Sequence, residues 1–333
     1  MEYKELLIET ASKMVMKGKG ILAADESNPT CGKRFKSIGV ESTFENRNEY
    51  RDMLFSASDL EKYISGVIMF DETFRQSTTN DKKINFPDFL KSKGIIPGIK
   101  VDKGAKNLAG FSDEKITEGL DDLRQRLVEY FDAGARFAKW RAVINISDSL
   151  PSIGCILANT HALARYASLC QENGLVPIVE PEVLMDGNHD ISRCYEVTCQ
   201  TLDILFEQLA YQNVMLEGIV LKPNMVISGL KCQNQADVKN VSDMTLKCFK
   251  KFVPNNVGGI AFLSGGQSSD KATEHLNCMN DTAEKLPWNL TFSYGRALQQ
   301  DALNAWSGKD REKGQKELLK RARNNSDATL GKF

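Results

Sequence analysis

The fold is decided by three consecutive segments, FAKWRAVINI (137–146), ANTHALARYASLCQENG (158–174) and VPIV (176–179). Runs of apolar and β-branched residues predict a buried strand at each end, and apolar residues at helical spacing predict a helix between them. Two strands joined through a helix lie parallel, with a right-handed crossover. The chain therefore contains at least one strand–helix–strand unit with parallel strands.

The same pattern occurs along the whole chain. Short apolar segments bounded by Gly or Pro alternate with amphipathic stretches such as GLDDLRQRLVEYFDAGA (119–135) and ISRCYEVTCQTLDILFEQLAYQN (191–213). Eight units spaced by about 30 to 45 residues match the (β/α)8 TIM barrel, an α/β fold, in number and length. A doubly wound open sheet is the alternative, which the lack of a GxGxxG fingerprint after the first strand disfavours. The predicted strands are Gly20–Ala24, Ile64–Phe70, Ile95–Val101, Phe137–Ile146, Val176–Val179, Gly218–Leu221, Gly258–Leu263 and Leu290–Phe292.

No linker, charge block or low-complexity stretch divides the 333 residues. A chain of this length can form one large domain or two average ones, and a barrel favours one. We therefore predict a single catalytic domain over residues 1–333. It would begin with a helix within residues 1–17 and end with a helical segment over residues 297–333.

Composition argues against several classes of function. The 43 basic and 44 acidic residues leave a net charge of -1, which gives no reason to expect nucleic acid or a membrane as a partner. The N-terminus has no signal-peptide pattern, and eight cysteines without a CxxC pair are typical of reduced thiols in the cytoplasm. A catalytic metal normally needs two or three clustered histidines, so we predict no metal and no cofactor. The three histidines, His161, His189 and His275, are scattered.

Charged residues lie at the ends of predicted strands, where a buried parallel strand should be apolar. In a barrel the carboxyl ends of the strands form the active-site face, and charges two residues apart leave a strand on the same side. A buried charge is costly unless it is paired, so these groups form an ion-pair network, a ligand site or both. Salt bridges that close the barrel mouth are the alternative, but convergence from five strands favours a functional site. The charged residues are Asp25, Glu26, Lys100, Asp102, Lys139, Arg141, Glu180, Glu182 and Lys222.

The last two units carry glycine-containing turns, LSGGQS (263–268) and SYGR (293–296), each followed by a helical stretch. Glycines let backbone N–H groups approach an anion, a helix N-terminus attracts negative charge, and Arg296 supplies a fixed cation. In barrels the loops after strands seven and eight frequently bind phosphate. These turns therefore predict a phosphate site.

Together these features predict a barrel enzyme that acts on a small phosphorylated molecule without a metal. Burial and neighbouring cations both lower the pKa of a lysine ammonium group, which makes the free amine available. Such an amine can attack a carbonyl carbon and form a Schiff base, which serves as an electron sink. Spacing alone leaves open which of the strand-end lysines does this.

Seven motifs, in this order, resemble class I fructose-1,6-bisphosphate aldolase. The resemblance covers the chain from about Gly18 to Phe333, and the set is specific although no single motif is. It implies a lyase of glycolysis and gluconeogenesis that reversibly cleaves fructose 1,6-bisphosphate through a lysine Schiff base. The products would be dihydroxyacetone phosphate and glyceraldehyde 3-phosphate. The motifs are GKGILAADES (18–27), GIKVDKG (98–104), RFAKWR (136–141), VPIVEPE (176–182), LKPNMV (221–226), FLSGGQS (262–268) and LTFSYGRALQ (290–299).

The resemblance also implies roles for single residues. Lys222 would be the Schiff-base nucleophile, and Glu180 would be the acid and base of carbinolamine formation and dehydration. Asp25 would accept the proton of the carbon-4 hydroxyl, and Lys139 would stabilise charge. The implied substrate-binding residues are Lys100, Arg141 and Glu182 near the reacting carbons, Ser264, Gly265, Gly266, Ser293, Gly295 and Arg296 at one phosphate, and Ser27, Thr30, Lys33 and Arg34 at the other.

Two features depart from the family pattern. The turn ESNPT (26–30) contains Pro29, which we expect to stiffen this loop. The given chain stops at Gly331-Lys332-Phe333, whereas the family usually continues with a mobile tail ending in a tyrosine. This tail is either absent from the protein or lies outside the given sequence. The resemblance further implies a homotetramer. Preference between fructose 1,6-bisphosphate and fructose 1-phosphate depends on loop details and is open at this point.

Three rival functions differ in what they require. A transaldolase-like Schiff-base barrel would need no second phosphate pocket. A barrel that only binds the cytoskeleton or another protein partner should have lost at least one catalytic residue, although such binding could accompany catalysis. A metal-dependent aldolase would need more clustered histidines than this sequence has. The aldolase of the Schiff-base type is the preferred hypothesis.

Overall fold

Eight parallel strands close into a barrel in the computed structural model, which describes residues 2–282 and 284–333. The first strand pairs with the second and with the last, which closes the sheet. The predicted (β/α)8 TIM barrel is confirmed. The barrel strands in chain order are β1 (Gly20–Ala24), β2 (Ile64–Met69), β3 (Ile96–Lys100), β6 (Phe137–Ile144), β7 (Val176–Val183), β8 (Val220–Leu221), β9 (Ile260–Phe262) and β10 (Leu290–Tyr294). Between β3 and β6, the strands β4 (Ala105–Asn107) and β5 (Lys115–Thr117) form a separate sheet.

Helices cover the outside of the barrel between successive strands. None of those in the described residues is long and apolar enough to cross a bilayer. The helices are α1 (Lys4–Met14), α2 (Asn28–Lys36), α3 (Phe44–Phe55), α4 (Asp71–Phe74), α5 (Phe86–Ser92), α6 (Leu123–Asp132), α7 (Ile153–Glu172), α8 (Ile191–Tyr211), α9 (Val238–Phe252), α10 (Ser269–Asn280), α11 (Arg296–Trp306) and α12 (Arg311–Ala328).

Each predicted strand overlaps a barrel strand, but some boundaries differ. The apolar pattern ended the fifth strand at the first carboxylate, whereas β7 continues through Glu180 and Glu182 to Val183. The apolar pattern ended the strand too early because the two carboxylates face a polar cavity inside the barrel. Charged residues can therefore be part of this strand. The antiparallel hairpin of β4 and β5 was not predicted, because each of its strands is only three residues long.

Every second side chain along a barrel strand points inward, and these side chains fill the inside of the barrel. Phe137 on β6 pairs in register with Val176 on β7, and both belong to a buried cluster with Ile178 and Val220. Because residues two apart point to the same side of a strand, the next inward positions lie one layer closer to the carboxyl end. Those positions carry the charged residues of the site described below.

Helix α1 covers the amino-terminal end of the barrel. Its buried residues Leu7, Ala11 and Met14 join the same apolar cluster as Phe137 and Val176 at the strand starts. The sequence predicted a helix within residues 1–17, and α1 keeps an exposed charged face. Its opposite face closes one end of the barrel, which leaves the other end for chemistry.

The segment after β1 is helical and not the loop that the sequence suggested. Helix α2 begins at Asn28, with Ser27 in extended conformation as its N-cap and Pro29 in its first turn. Proline is favoured in a first helical turn because its missing N–H would have no partner there and its φ suits a helix. Pro29 therefore fixes the start of α2.

We expect Gly98→Ala to destabilise the protein by about 1–3 kcal/mol, because the added methyl group overpacks the inside of the barrel. A Cβ atom at Gly98 would lie 2.2 Å from ring atoms of Phe137, its register partner. Denaturant midpoints of the wild type and the variant measure the loss. The double variant Gly98→Ala/Phe137→Leu should lose less than the sum of the two single variants, and strict additivity would contradict this packing.

Candidate active site

A cavity of about 580 Å³ opens at the carboxyl ends of the barrel strands. All residues that the sequence analysis named as catalytic or substrate-binding line it, although they come from seven of the eight strand ends. They are Asp25, Ser27, Thr30, Lys33, Arg34, Lys100, Lys139, Arg141, Glu180, Glu182, Lys222, Ser264, Gly265, Gly266, Ser293, Gly295 and Arg296.

Lys222 lies directly after the two-residue strand β8 and is 3% exposed. Its backbone N–H donates to the carbonyl of Val179 on β7 at 2.8 Å, which continues the strand pairing by one residue. Val220, two residues earlier, points into the apolar layer of the barrel. The same alternation places the Lys222 side chain on the inner side, at the floor of the cavity.

Two lysines share one buried carboxylate. Glu180 Oε1 is 3.2 Å from Lys222 Nζ, and Glu180 Oε2 is 3.2 Å from Lys139 Nζ. The ammonium group of Lys139 also donates to Asp25 Oδ2 at 2.9 Å. The result is a chain of alternating charges, from Asp25 through Lys139 and Glu180 to Lys222, in which Lys222 has the end position.

This arrangement separates the pKa values of the two lysines. Burial lowers the pKa of Lys222 and the charge of Lys139 adds to this effect, although Glu180 and Asp25 oppose it. Burial also disfavours the charged form of Lys139, but Asp25 and Glu180 outweigh it and raise the pKa of Lys139. Lys139 therefore remains a cation, while Lys222 is the lysine that loses its proton more readily.

The two carboxylates of this chain are held ionised. Burial alone would raise the pKa of Asp25, but Lys139, Lys222 and Lys100 together bring it well below its usual range. The pKa of Glu180 is lowered in the same way, because Lys139 and Lys222 outweigh its burial. Both groups are therefore acceptors for protons when the neighbouring ammonium charge decreases.

Two further ion pairs surround this core of charges. Arg141 Nε donates to Glu182 Oε2, and Lys100 Nζ lies 3.5 Å from Asp102 Oδ1. Asp102 was recognised as a strand-end charge without a role, and it also accepts from the backbone N–H of Gly104 at 3.0 Å. These contacts leave Lys100 and Arg141 oriented along the wall of the cavity.

Two glycine-containing turns meet beside Arg296. Gly265 and Gly266 have φ values of 51° and 78°, in the left-handed region that favours glycine. A Cβ atom at Gly266 would lie 3.2 Å from Arg296 Nη2, so the bare backbone lets the guanidinium approach. Helix α11 begins at Arg296, with Gly295 as its N-cap, and so adds a helix N-terminus. The groups that a phosphate requires are brought together here.

A second group of polar residues lies on α2 and at the residue directly before this helix. Ser27 Oγ and Thr30 Oγ1 are 3.1 Å apart, and Lys33 and Arg34 follow one turn later. Arg34 pairs with Glu26 and comes near the first group, since a Cβ atom at Gly295 would lie 3.9 Å from Arg34 Nη2. The two groups that the sequence assigned to separate phosphates are therefore adjacent at Arg34.

Sequence reasoning missed two buried residues that support this side of the cavity. Arg51 Nη2 is 2.7 Å from Glu26 Oε2, and Arg51 is almost fully buried. Gln299 Nε2 donates to Glu26 Oε1 at 3.0 Å and to the carbonyl of Ala23 at 2.6 Å. Arg51 lies in a helical stretch that looks ordinary in sequence, and Gln299 ends the seventh motif but was given no role. The one available signal was the buried charge of Glu26, which requires a partner.

Comparison with known proteins identifies the family. The family model described as fructose-bisphosphate aldolase class-I matches residues 6–333. A Xylella fastidiosa protein named "Probable fructose-bisphosphate aldolase class 1" is 57% identical over 332 residues, covering 99% of this chain and 98% of that protein. The cytoplasmic isozyme of fructose-bisphosphate aldolase from Spinacia oleracea is 50% identical over 334 residues, covering 100% of this chain and 93% of that protein.

A solved structure agrees with these relatives. Fructose-bisphosphate aldolase from Plasmodium falciparum, in complex with TRAP and a small-molecule inhibitor, has a TM-score of 0.97 and 48% sequence identity. The match covers 100% of this chain and 96% of that one. The chain, with a lysine of lowered pKa at the floor of its barrel cavity, belongs to the class I fructose-bisphosphate aldolase family of lyases.

Proposed function

We propose that this chain cleaves fructose 1,6-bisphosphate reversibly into dihydroxyacetone phosphate and glyceraldehyde 3-phosphate, with Lys222 as the Schiff-base nucleophile. The observation that carries the proposal is the buried Lys222 ammonium 3.2 Å from Glu180, beside a second lysine. Membership of the family supports the substrate and the reaction type. The roles of single residues come from the resemblance to the family, and the geometry of the cavity supports them.

Imine formation uses Lys222 and Glu180. The free amine of Lys222 adds to the ketone carbon of the open-chain sugar, and the resulting carbinolamine must lose water. Glu180 lies within reach of the reacting nitrogen, so it can take a proton from it and return one to the leaving hydroxyl. Lys139 stays charged and stabilises negative charge that develops on the substrate oxygen.

Cleavage uses Asp25 as the base. Breaking the bond between carbons 3 and 4 requires loss of the carbon-4 hydroxyl proton, while the protonated imine accepts the electron pair as an enamine. A carboxylate with a strongly lowered pKa is a weak base, and Lys222 is one of the charges that lower it. The protonated imine keeps a positive charge at Lys222, and this charge is lost as the electron pair arrives and the enamine forms. Asp25 therefore becomes a stronger base as the carbon–carbon bond breaks.

Two phosphate sites orient the substrate. The turn with Ser264, Gly265 and Gly266, together with Ser293, Gly295 and Arg296, would hold the phosphate nearest the imine. Ser27, Thr30, Lys33 and Arg34 would hold the other phosphate. Lys100, Arg141 and Glu182 would contact the hydroxyl groups between them. Fixing both ends of the sugar keeps the ketone carbon at the amine.

The proposal includes a cytoplasmic homotetramer. Relatives include cytoplasmic isozymes, which supports the location. Phe111, Ile153 and Leu157 are exposed apolar side chains near the start of α7, and such patches are typical of subunit contacts. The Plasmodium relative was solved in complex with TRAP, which supports the proposal that this chain also binds a further protein, such as a cytoskeletal one.

Reduction with borohydride in the presence of fructose 1,6-bisphosphate should attach the sugar phosphate covalently to Lys222. Peptide mass mapping locates the adduct. Lys222→Met should give no adduct, whereas Lys139→Met should still label at position 222, more slowly, because Lys139 only supports the reaction. An adduct at Lys139 or Lys100, or labelling of the Lys222→Met variant, would overturn the assignment.

Lys139→Met should lower the free energy of unfolding by about 3–5 kcal/mol near pH 8, because it leaves two buried carboxylates without their shared partner. In the wild type the pKa values of Asp25 and Glu180 lie below those of the unfolded chain, so both stay ionised down to low pH. In the variant the charge of Lys139 no longer offsets burial, so these pKa values rise. As the pH falls, the folded variant therefore binds protons that the folded wild type does not. Its deficit should therefore shrink between pH 8 and pH 5.

Denaturant unfolding of both proteins at several pH values measures this deficit. The matched control is Lys239→Met, which removes a lysine from an exposed pair with Asp243 and should leave the free energy of unfolding near that of the wild type. A deficit that is equal at all pH values would contradict the proposed sharing of charge.

A further inference from the structure

Two cysteines on neighbouring helices lie with their sulfur atoms in contact, outside the barrel. Cys199 Sγ on α8 is 3.0 Å from Cys248 Sγ on α9. Within residues 2–282 and 284–333 this is the one pair of thiols in contact. A disulfide bond is about 2 Å long, so a change of roughly 1 Å in side-chain position joins them. We propose that Cys199 and Cys248 form an oxidisable dithiol that hydroperoxides convert to a disulfide.

The surroundings of Cys199 favour its thiolate. The hydrogen bond with Cys248 lowers the pKa of Cys199, the Tyr195 hydroxyl and the charges of Lys251 and Lys247 add to this, and burial opposes it. Lys247 Nζ lies over the ring of Tyr195, 5.4 Å from its centre. A thiolate beside cations is the form that attacks an oxidant.

Cys248 differs from Cys199 in ways that suit the second step. Cys248 is fully buried, whereas Cys199 keeps 6% of its surface exposed. The hydrogen bond with Cys199 and burial raise the pKa of Cys248, so it stays a thiol while Cys199 is ionised. Cys199 is therefore the residue that meets the oxidant, and Cys248 is the residue that resolves the product.

The reaction balances in two steps. The Cys199 thiolate attacks the terminal peroxide oxygen, an S–O bond forms as the O–O bond breaks, and the departing alkoxide or hydroxide takes up a proton. Cys248 then gives up its proton and attacks the Cys199 sulfur, so that the S–S bond forms and the sulfenic oxygen leaves as water. The two thiols are oxidised together, and the hydroperoxide is reduced to water and an alcohol, or to two waters.

The disulfide would join the two helices that hold the segment after Lys222. The residue next to Cys199, Thr198, accepts from Asn224 Nδ2 at 3.1 Å. One turn before Cys248, Thr245 Oγ1 accepts from the backbone N–H of Val226 at 2.9 Å. Oxidation would thus tie together α8 and α9 at the level where both bind this segment, and it involves no residue of the cavity.

The test is oxidation of the whole native protein with hydrogen peroxide, followed by thiol blocking under denaturing conditions and peptide mapping. Before blocking, the intact mass should be lower by about 2 Da, from the loss of two hydrogen atoms. After blocking, mapping should find a crosslinked peptide pair containing Cys199 and Cys248. Dithiothreitol should restore the original mass. The control variant Cys232→Ser/Cys278→Ser removes the two more accessible thiols and should still form the crosslink.

Cys199→Ser and Cys248→Ser should each abolish the mass decrease. Cys248→Ser should instead gain about 16 Da at Cys199, because the sulfenic acid is no longer resolved. Mapping of the wild type needs neither variant, so the proposal stays testable if either fails to fold. Oxygen addition to wild-type cysteines without a Cys199–Cys248 crosslink, or a crosslink between other cysteines, would overturn it.

Discussion

The chemistry of this protein depends on how one buried carboxylate shares its charge between two lysines. Glu180 contacts Lys139 and Lys222 at the same distance, 3.2 Å, but Asp25 contacts only Lys139. The second carboxylate therefore decides which lysine stays charged. Lys139 has two anionic neighbours and remains a cation, and Lys222 has one and becomes the available amine.

This difference between the two lysines follows from the register of neighbouring barrel strands and from the alternation of side chains along each strand. Inward positions on β6, β7 and β8 carry apolar side chains in the lower layer and charged ones in the layer above. The charged groups are consequently surrounded by apolar packing below and by solvent only at the mouth. Burial lowers the pKa of an unsupported ammonium, so the same packing that stabilises the barrel also prepares Lys222 for attack.

Much of this could be predicted from the sequence, because the determining patterns are local. Strands and helices follow from apolar spacing, and charges at strand ends mark the active-site face wherever a barrel closes. The seven motifs together then indicated the family, although no single one of them is specific. All residues that the sequence predicted as catalytic or substrate-binding line the cavity.

Contacts between distant parts of the chain could not be predicted in this way. Arg51 and Gln299 bind Glu26 across about 25 and 270 residues, and nothing in the sequence around either residue links it to Glu26. The start of α2 at Asn28 was missed because proline was taken to stiffen a loop, although it is equally suited to a first helical turn. The contact between Cys199 and Cys248 likewise depends on how α8 packs against α9.

The central claim is that Lys222 holds its proton less tightly than an ordinary lysine. The most direct measurement is competitive labelling of all lysines with a trace of a small acylating reagent across a pH series, quantified residue by residue through mass spectrometry. Labelling of Lys222 should reach half its maximum well below the pH of about 10.4 at which an unperturbed lysine does so, with the exposed lysines as internal standards. A profile for Lys222 that coincides with those standards, or lies above them, would contradict the account.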